Sequence, residues 1–397
     1  MPSRISRLKA PTGAGVMFAS NGAVFAAILP WYPLLTDRLS LSAAEFGLIV
    51  AAFAVGAIVS SALPAPLIAR FGPNRVAVVG TVFLAIAIAS AGWSPNGAVL
   101  ALCIFLAGFF DVAQNVAGIR VQDAAGRSIL SSLHALWSLG GILGGIASTT
   151  AAALGLDMRL ALAVAAATCV ALVAGGAALV GDVARNRDVT AAAPAAVTAP
   201  GRWRGVAAAA LPLVLVAVCG TMVEDVGNNW GALSGQQLGG LPLGASGVVF
   251  IVVVASQCVG RFLGDAMIDR WGRVRVARAG GVLIATGGAL IALTDGGDPG
   301  PLLVGFALVG FGGATLVPSA YSAAARMPGV SEGAGVTIVS WLMRVGFLFT
   351  SPLIGAVAEA ANLRWGLGIL ILVGAATVAL AGALAPARTG SPAPSAS

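Results

Sequence analysis

The chain has 397 residues, 58% of them hydrophobic and only 9% charged, with a mean hydropathy of +0.96 and a formal charge of +7. A water-soluble domain carries about 25% charged residues, so a soluble globule is excluded and lipid must cover most of the outside. The basic residues stand singly or in short groups between apolar runs, which is a membrane-loop pattern and not a nucleic-acid patch.

Met1 to Lys9 is short and basic, and no convincing cleavage site follows it, so it reads as a cytoplasmic tail and not as a removable signal peptide. A membrane span needs about 20 mostly apolar residues. Such runs predict twelve spans, at 13–36, 43–69, 76–93, 97–121, 129–154, 158–180, 206–236, 244–268, 275–294, 300–325, 333–358 and 363–385. The expected organisation is a cytoplasmic tail over 1–12, a six-helix bundle over 13–180, a polar linker over 181–205, a second six-helix bundle over 206–385 and a disordered cytoplasmic tail over 386–397. Cys103, Cys169, Cys219 and Cys258 all fall inside the apolar runs at wide spacing, which argues against a disulfide framework or a zinc site.

Placing the N-terminus in the cytoplasm assigns 17 of the 22 basic residues to cytoplasmic loops, ends and tails. Arg38, Arg159 and Arg364 fall outside, and Arg261 and Arg344 fall within spans. That asymmetry follows the positive-inside rule and puts both termini inside. The halves also repeat. Arg70-Phe71-Gly72 before Arg75-Val76 reappears as Arg270-Trp271-Gly272 before Arg275-Val276; Trp31 corresponds to Trp230, and Trp137 to Trp341. Two six-helix units in the same orientation are the pattern of parallel pseudo-symmetric halves.

The run Gly264-Asp265-Ala266-Met267-Ile268-Asp269-Arg270-Trp271-Gly272-Arg273 resembles the loop motif G-x-x-x-[D]-R-x-G-R of the major facilitator superfamily. The first-half copy keeps Arg70, Gly72 and Arg75 but has Ala69 where the acid is usual. The resemblance covers nearly the whole chain, from Gly13 to about Leu384. It implies an all-α membrane fold of twelve helices, with the third helix of each triplet against lipid and a central cavity between the halves. It also implies a cytoplasmic gate, in which Arg70, Asp265, Asp269, Arg270 and Arg273 would hold helix ends together in one state. Simple topology anchoring by the arginines is the competing reading.

An ionisable side chain at mid-bilayer is costly and should face a cavity or a partner. The third, sixth, ninth and twelfth spans carry little beyond Thr81, Ser90, Thr168, Thr286 and Thr377, so the polar residues sit on the helices that would line a cavity. Asp111 shares a helical face with Gln114 and Asn115. It reads either as a protonatable site beside substrate contacts or as a structural interhelical hydrogen bond. In the seventh span Glu224 and Asn228 share one face and Asp225 and Asn229 another, with Gly227 permitting local unwinding. Glu224 is expected in the cavity, and Asp225 either binds solute or lies wetted near the outer surface. His134, the only histidine, is either a satisfied polar residue or a proton relay. The glycine run Gly140-Gly141-Ile142-Leu143-Gly144-Gly145 reads as a packing seam. Arg261 is expected to pair with Asp265, four residues on. Arg344 has no local acid and would bind a substrate carboxylate or neutralise an acid across the cavity. Asn21, Trp137, Trp230, Tyr321 and Trp341 complete the expected substrate contacts, and Asp111, Glu224 and His134 are the expected proton-coupling residues.

The arrangement in the fourth, fifth and seventh spans is loosely similar to a bacterial inner-membrane branch related to fucose-permease-like proteins, which implies proton coupling. The leading expectation is therefore a secondary active transporter in the bacterial inner membrane. It would work as a monomer, moving a small organic solute with protons by alternating access. A drug or metabolite efflux antiporter and a non-transporting sensor on the same fold are the alternatives. No catalytic constellation, metal site or cofactor motif is present in the sequence, and neither an enzyme nor a nucleic-acid binder is expected.

Overall fold

Inside hydrocarbon every backbone N–H and C=O must be bonded within the chain, which leaves helices or closed barrels. Every regular element among the described residues is helical. The computed structural model describes residues 4–60, 64–108, 111–125, 129–181, 203–294, 296–327 and 332–385. Residues 1–3, most of the expected linker and the 386–397 tail lie outside the described residues.

In chain order the membrane helices are α1 (Lys9–Leu39), α2 (Ala43–Ser60), α3 (Pro73–Ala91), α4 (Gly97–Ala107), α5 (Ser132–Ala153), α6 (Met158–Val180), α7 (Ala210–Gln237), α8 (Leu243–Trp271), α9 (Arg273–Leu293), α10 (Gly300–Ala324), α11 (Ile338–Ala360) and α12 (Leu363–Leu384). All but α4 are long and apolar enough to cross a membrane. Of the expected fourth span the structure describes α4, opened by the Asn96 side chain accepting the Val99 N–H at 3.0 Å, and a helix over Asp111–Ala125; residues 109–110 lie outside the described residues.

The internal repeat extends to backbone geometry. Gly72 and Gly272 cap α3 and α9 with φ/ψ of 81/153° and 81/151°, a region open in practice only to glycine. Each glycine N–H bonds back one turn, to Ile68 at 2.9 Å and to Ile268 at 2.8 Å. The third helix of each triplet turns large apolar side chains outward, Val79 and Ile86 on α3, Leu160 and Val164 on α6, Val282 on α9 and Leu372 on α12. Such a surface suits lipid and not water.

The two halves meet at one end of the bundle. The near end is where α1 begins and where α2 turns into α3 and α8 into α9; the far end is opposite. At the far end Phe46 of α2 stacks edge-on against Trp230 of α7 with ring centroids 5.1 Å apart. The Ala43 N–H donates to the Glu359 carboxylate at 3.1 Å. Small residues bring the backbones close, as membrane helix packing requires. A Cβ on Gly47 would lie 2.4 Å from the Ser351 carbonyl oxygen, and one on Gly355 would lie 2.4 Å from that of Ala43. One buried core runs through these contacts and spans both halves. At the near end of the first half a separate core of Ala14, Met17, Phe18, Ile68, Val121 and Leu133 contains first-half residues only. The described contacts thus close the far end and leave the near end open between the halves.

Within the first half α1 and α5 run against each other through the glycine seam. A Cβ on Gly140 would lie 1.9 Å from Ala19 O, one on Gly144 2.2 Å from Ala23 O, and one on Gly22 2.1 Å from Trp137 O. Gly145 instead makes room for the Phe250 ring of α8, across the halves.

Candidate functional site

Both first helices of the halves leave α geometry as they approach the far end. In α1 the change is a 3-10 turn over Leu29–Trp31; in α7 it is a π turn over Val226–Trp230, which contains Gly227. Each ends on a tryptophan that braces it to the fifth helix of its own half. Trp31 Nε1–H donates to Ser148 Oγ at 2.7 Å, and Trp230 Nε1–H donates to Ser351 Oγ at 3.0 Å. The two serines then hand on their own protons differently. Ser148 donates to the Ala27 carbonyl at 2.5 Å, whereas Ser351 donates to the Asp225 carboxylate. Asp225 also accepts from Asn229 Nδ2 at 2.8 Å, as their shared helical face predicts. Asp225 is 3% exposed and Trp230 fully buried, so both belong to the far-end brace and not to an open wall or a wetted outer surface. Tyr32 of the first half lies in the electrostatic range of Asp225.

Nearer the open end, the second half presents a charged wall. Glu224 pairs with Arg261 of α8 and accepts from Gln257 Nε2 at 3.1 Å. Arg261 thus bonds Glu224 and not Asp265, which is exposed four residues nearer the open end. A guanidinium held in the membrane interior takes the carboxylate at its own depth. The Arg261 and Glu224 side chains keep 39% and 25% of their surface accessible, so the pair is open to solvent. Tyr321 of α10 lies in the field of both Arg344 and Glu224, and its hydroxyl meets Met343 Sδ at 3.2 Å. Arg344 and Asn228 are half-buried, and Trp341 is 50% exposed. No carboxylate among the described residues forms an ion pair with Arg344.

On the first half the described side chains are polar and aromatic. Asn21 accepts from Trp137 Nε1–H at 2.9 Å and donates to Thr81 Oγ1 at 3.3 Å. Phe25 stacks on Trp137 and on Phe53 at centroid distances of 5.8 and 5.3 Å. Trp137 and Trp341 correspond in the repeat but differ in setting, one bonded and half-buried, the other open. His134 is exposed and meets the Phe18 ring edge-on at 5.6 Å. Gln114 is 4% exposed, and its Nε2 has no partner among the described residues; Asn115 is half-buried. Asp111 opens the Asp111–Ala125 helix, and its side chain lies outside the described part of the structure.

At the near end Arg70, Asp265, Asp269 and Arg270 are exposed and Arg273 is half-buried; no ion pair among the described residues joins them. The Arg70 guanidinium lies 5.2 Å from the Phe71 ring centroid. A surface pocket lined by Met267, Trp271, Arg275, Leu283 and Phe311 lies on the α8–α10 flank, apart from both inner walls. No group of three or more metal-ligating side chains gathers among the described residues.

Sequence reasoning missed Ser351, Ser148 and Gln257 as site residues. Aligning the halves on Trp137 and Trp341 places Ser148 within one residue of Ser351, which was the available signal.

Comparison with known proteins agrees with this architecture. The chain is 28% identical over 376 residues to the uncharacterized transporter y4wD of Sinorhizobium fredii, covering 93% of this chain and 96% of that protein. It is 27% identical over 360 residues to an uncharacterized MFS-type transporter of Yersinia pestis, covering 90% and 91% of the two chains. Among solved structures it superposes on a mutant of the nucleoside transporter NupG with a TM-score of 0.75 at 14% identity, covering 94% and 98%. On a bacterial homolog of the human lysosomal transporter Spinster, inward-facing and occupied, the TM-score is 0.73 at 13% identity, covering 96% and 97%. These likenesses establish the fold. The Major Facilitator Superfamily model matches residues 14–237 and 214–397, and with that match over both halves the chain belongs to the major facilitator superfamily, as a multi-pass membrane transporter.

Proposed function

We propose that this protein is a proton-coupled secondary active transporter that moves a small organic solute across the bacterial inner membrane by alternating access, with both termini cytoplasmic. In that orientation the near end is the cytoplasmic end, and the far-end contacts would close the outward side. The observation that carries the reading is Asp225. Among the described residues it is the one buried carboxylate in the contact that closes the far end, where the pseudo-symmetric brace of the first half uses a backbone carbonyl.

A charged Asp225 is a strong acceptor for Ser351 and so holds the serine that holds Trp230, on which Phe46 of the other half rests. Protonation weakens the acceptor and frees the hydroxyl, loosening the chain from α7 to α11 to α2. Proton occupancy is thereby tied to whether the outer end is shut, which is what coupling needs. Glu224, Asp111 and His134 remain candidates for further proton steps. Asn21, Gln114, Asn115, Trp137, Asn228, Tyr321, Trp341 and Arg344 are the candidates for solute contact. Arg70, Asp265, Asp269, Arg270 and Arg273 would come together when the near end closes.

The test is solute-driven proton movement in proteoliposomes loaded with a pH-sensitive dye and challenged with pools of sugars, organic acids and nucleosides. Wild-type protein should move protons with one of the pools, and Asp225→Asn should retain solute exchange while losing proton movement. Asn229 can turn its amide over to accept from an asparagine at 225, so the variant keeps the local bonds. Proton movement undiminished in Asp225→Asn removes Asp225 from this role.

A further inference from the structure

The ionisable groups on the inner side of the second half do not balance once Asp225 carries a proton. Arg261 and Arg344 contribute two positive charges, and Glu224 contributes one negative charge that Arg261 already holds. Arg344 is half-buried on α11 beside Tyr321, with no carboxylate among the described residues to pair with it. Asp225 sits at the level of Ser351, two helical turns from Arg344 and roughly 10 Å along α11. Its two oxygens are directed at Ser351 and Asn229, so it cannot serve as the direct partner. A guanidinium in a low-dielectric interior, with no carboxylate partner among the described residues, calls for a counter-charge.

We infer that this wall is a binding site for the carboxylate of a small organic anion, anchored on Arg344 beside the Tyr321 hydroxyl, and that the anion travels together with the proton. The inference rests on the reading of Asp225 as the proton carrier. With Asp225 charged, Arg261 and Arg344 are balanced by Glu224 and Asp225, and an anion entering would make this set net negative. With Asp225 protonated the wall has one positive charge in excess, which a monoanion cancels. Proton and anion therefore favour each other's binding, and the loaded carrier is electrically the same as the empty one. The shape of the rest of the solute is set by the opposite wall. There the Asn21 and Trp137 pair and the Phe25 ring offer an aromatic surface that carries no charge of its own. A flat or apolar body on a carboxylate fits; a cation or a dianion does not.

The experiment is ligand-induced thermal stabilisation and binding by the purified full chain, using matched pairs that differ only in charge: benzoate against benzamide, and gluconate against glucose. An anion should bind and its neutral mate should not, with affinity rising as the pH is lowered. Asp225→Asn should bind the anion without that pH dependence. Arg344→Gln should weaken binding tenfold or more, while Arg344→Lys retains part of it; gel filtration of each variant reports folding. Equal binding of the neutral mates, anion affinity retained in Arg344→Gln, or no anion binding by the wild type overturns the inference. Proton-driven movement of a neutral solute in proteoliposomes would do the same and leave the transport reading standing. Anion binding that depends on Arg344, with no proton-driven flux, would leave the site and refute the transport reading instead.

Discussion

The two tryptophan–serine braces form a natural control pair, because they differ in what the serine donates to. Replacing Ser148 by Ala leaves the Trp31 indole N–H and the Ala27 carbonyl without that hydroxyl. Replacing Ser351 by Ala leaves the Trp230 indole N–H and the Asp225 carboxylate without it. Both tryptophans are buried, with 1% and 0% exposure, so each orphaned indole costs about 1–3 kcal/mol and the two costs largely cancel in comparison. What remains is the second bond. A neutral hydrogen bond is worth about 0.5–1.5 kcal/mol and one to a charged group about 1.5–3. Ser351→Ala should therefore be the more destabilising by roughly 1–1.5 kcal/mol whenever Asp225 is charged.

The sign with pH follows directly. Only the charged carboxylate earns the larger bond, so the gap between the variants is full at high pH and closes as Asp225 takes up its proton on acidification. The assay is unfolding of purified protein in mixed micelles with increasing SDS fraction, for both variants and wild type, at several pH values. A gap that is absent at high pH, or that widens on acidification, refutes the assignment of Asp225 as the ionisable member of the far-end brace.

Three further outcomes are expected. Gly144→Val should cost about 1–3 kcal/mol or more in the same titration, because its Cβ would lie 2.2 Å from backbone at Ala23, whereas Gly141→Ala, with nothing nearer than 3.8 Å, should stay within about 0.5 kcal/mol. Gly72→Ala and Gly272→Ala should each cost about 1–3 kcal/mol, and by similar amounts, since the two caps share one glycine-only geometry. In a double-mutant cycle with Glu224→Gln and Arg261→Gln the coupling should be no more than about 1 kcal/mol, because the pair is open to solvent; a larger value would place it in a dry site.

Much of the fold is legible in the sequence because lipid imposes it. Long apolar runs must be helices, and loop arginines mark the sides. The repeats at Arg70-Phe71-Gly72 and Arg270-Trp271-Gly272 are a backbone requirement that the φ of +81° at both glycines makes explicit. The bland third helices are likewise visible as composition, and they carry the outward apolar side chains. The glycine run of α5 is a packing seam for a reason that residue size alone conveys.

The site was less legible, and the misses share one physical cause. Spacing along a helix identifies neighbours on that helix, so Asp265 was the visible partner for Arg261 and Asn229 the visible partner for Asp225. The second pairing holds because both residues lie at one depth within a turn. The first fails because Asp265 reaches water at the near end while Glu224, on another helix, meets the guanidinium inside. Depth along the bundle, not sequence distance, decides which carboxylate this arginine takes. The same rule separates the adjacent acids. Glu224 and Asp225 differ by one residue, yet the turn of α7 sends one to the open charged wall and the other into the closed end. On the proposed function, a charge facing the solute and a carboxylate tied into the far-end closure are the two elements a coupled carrier has to connect, and a single peptide bond would connect them here.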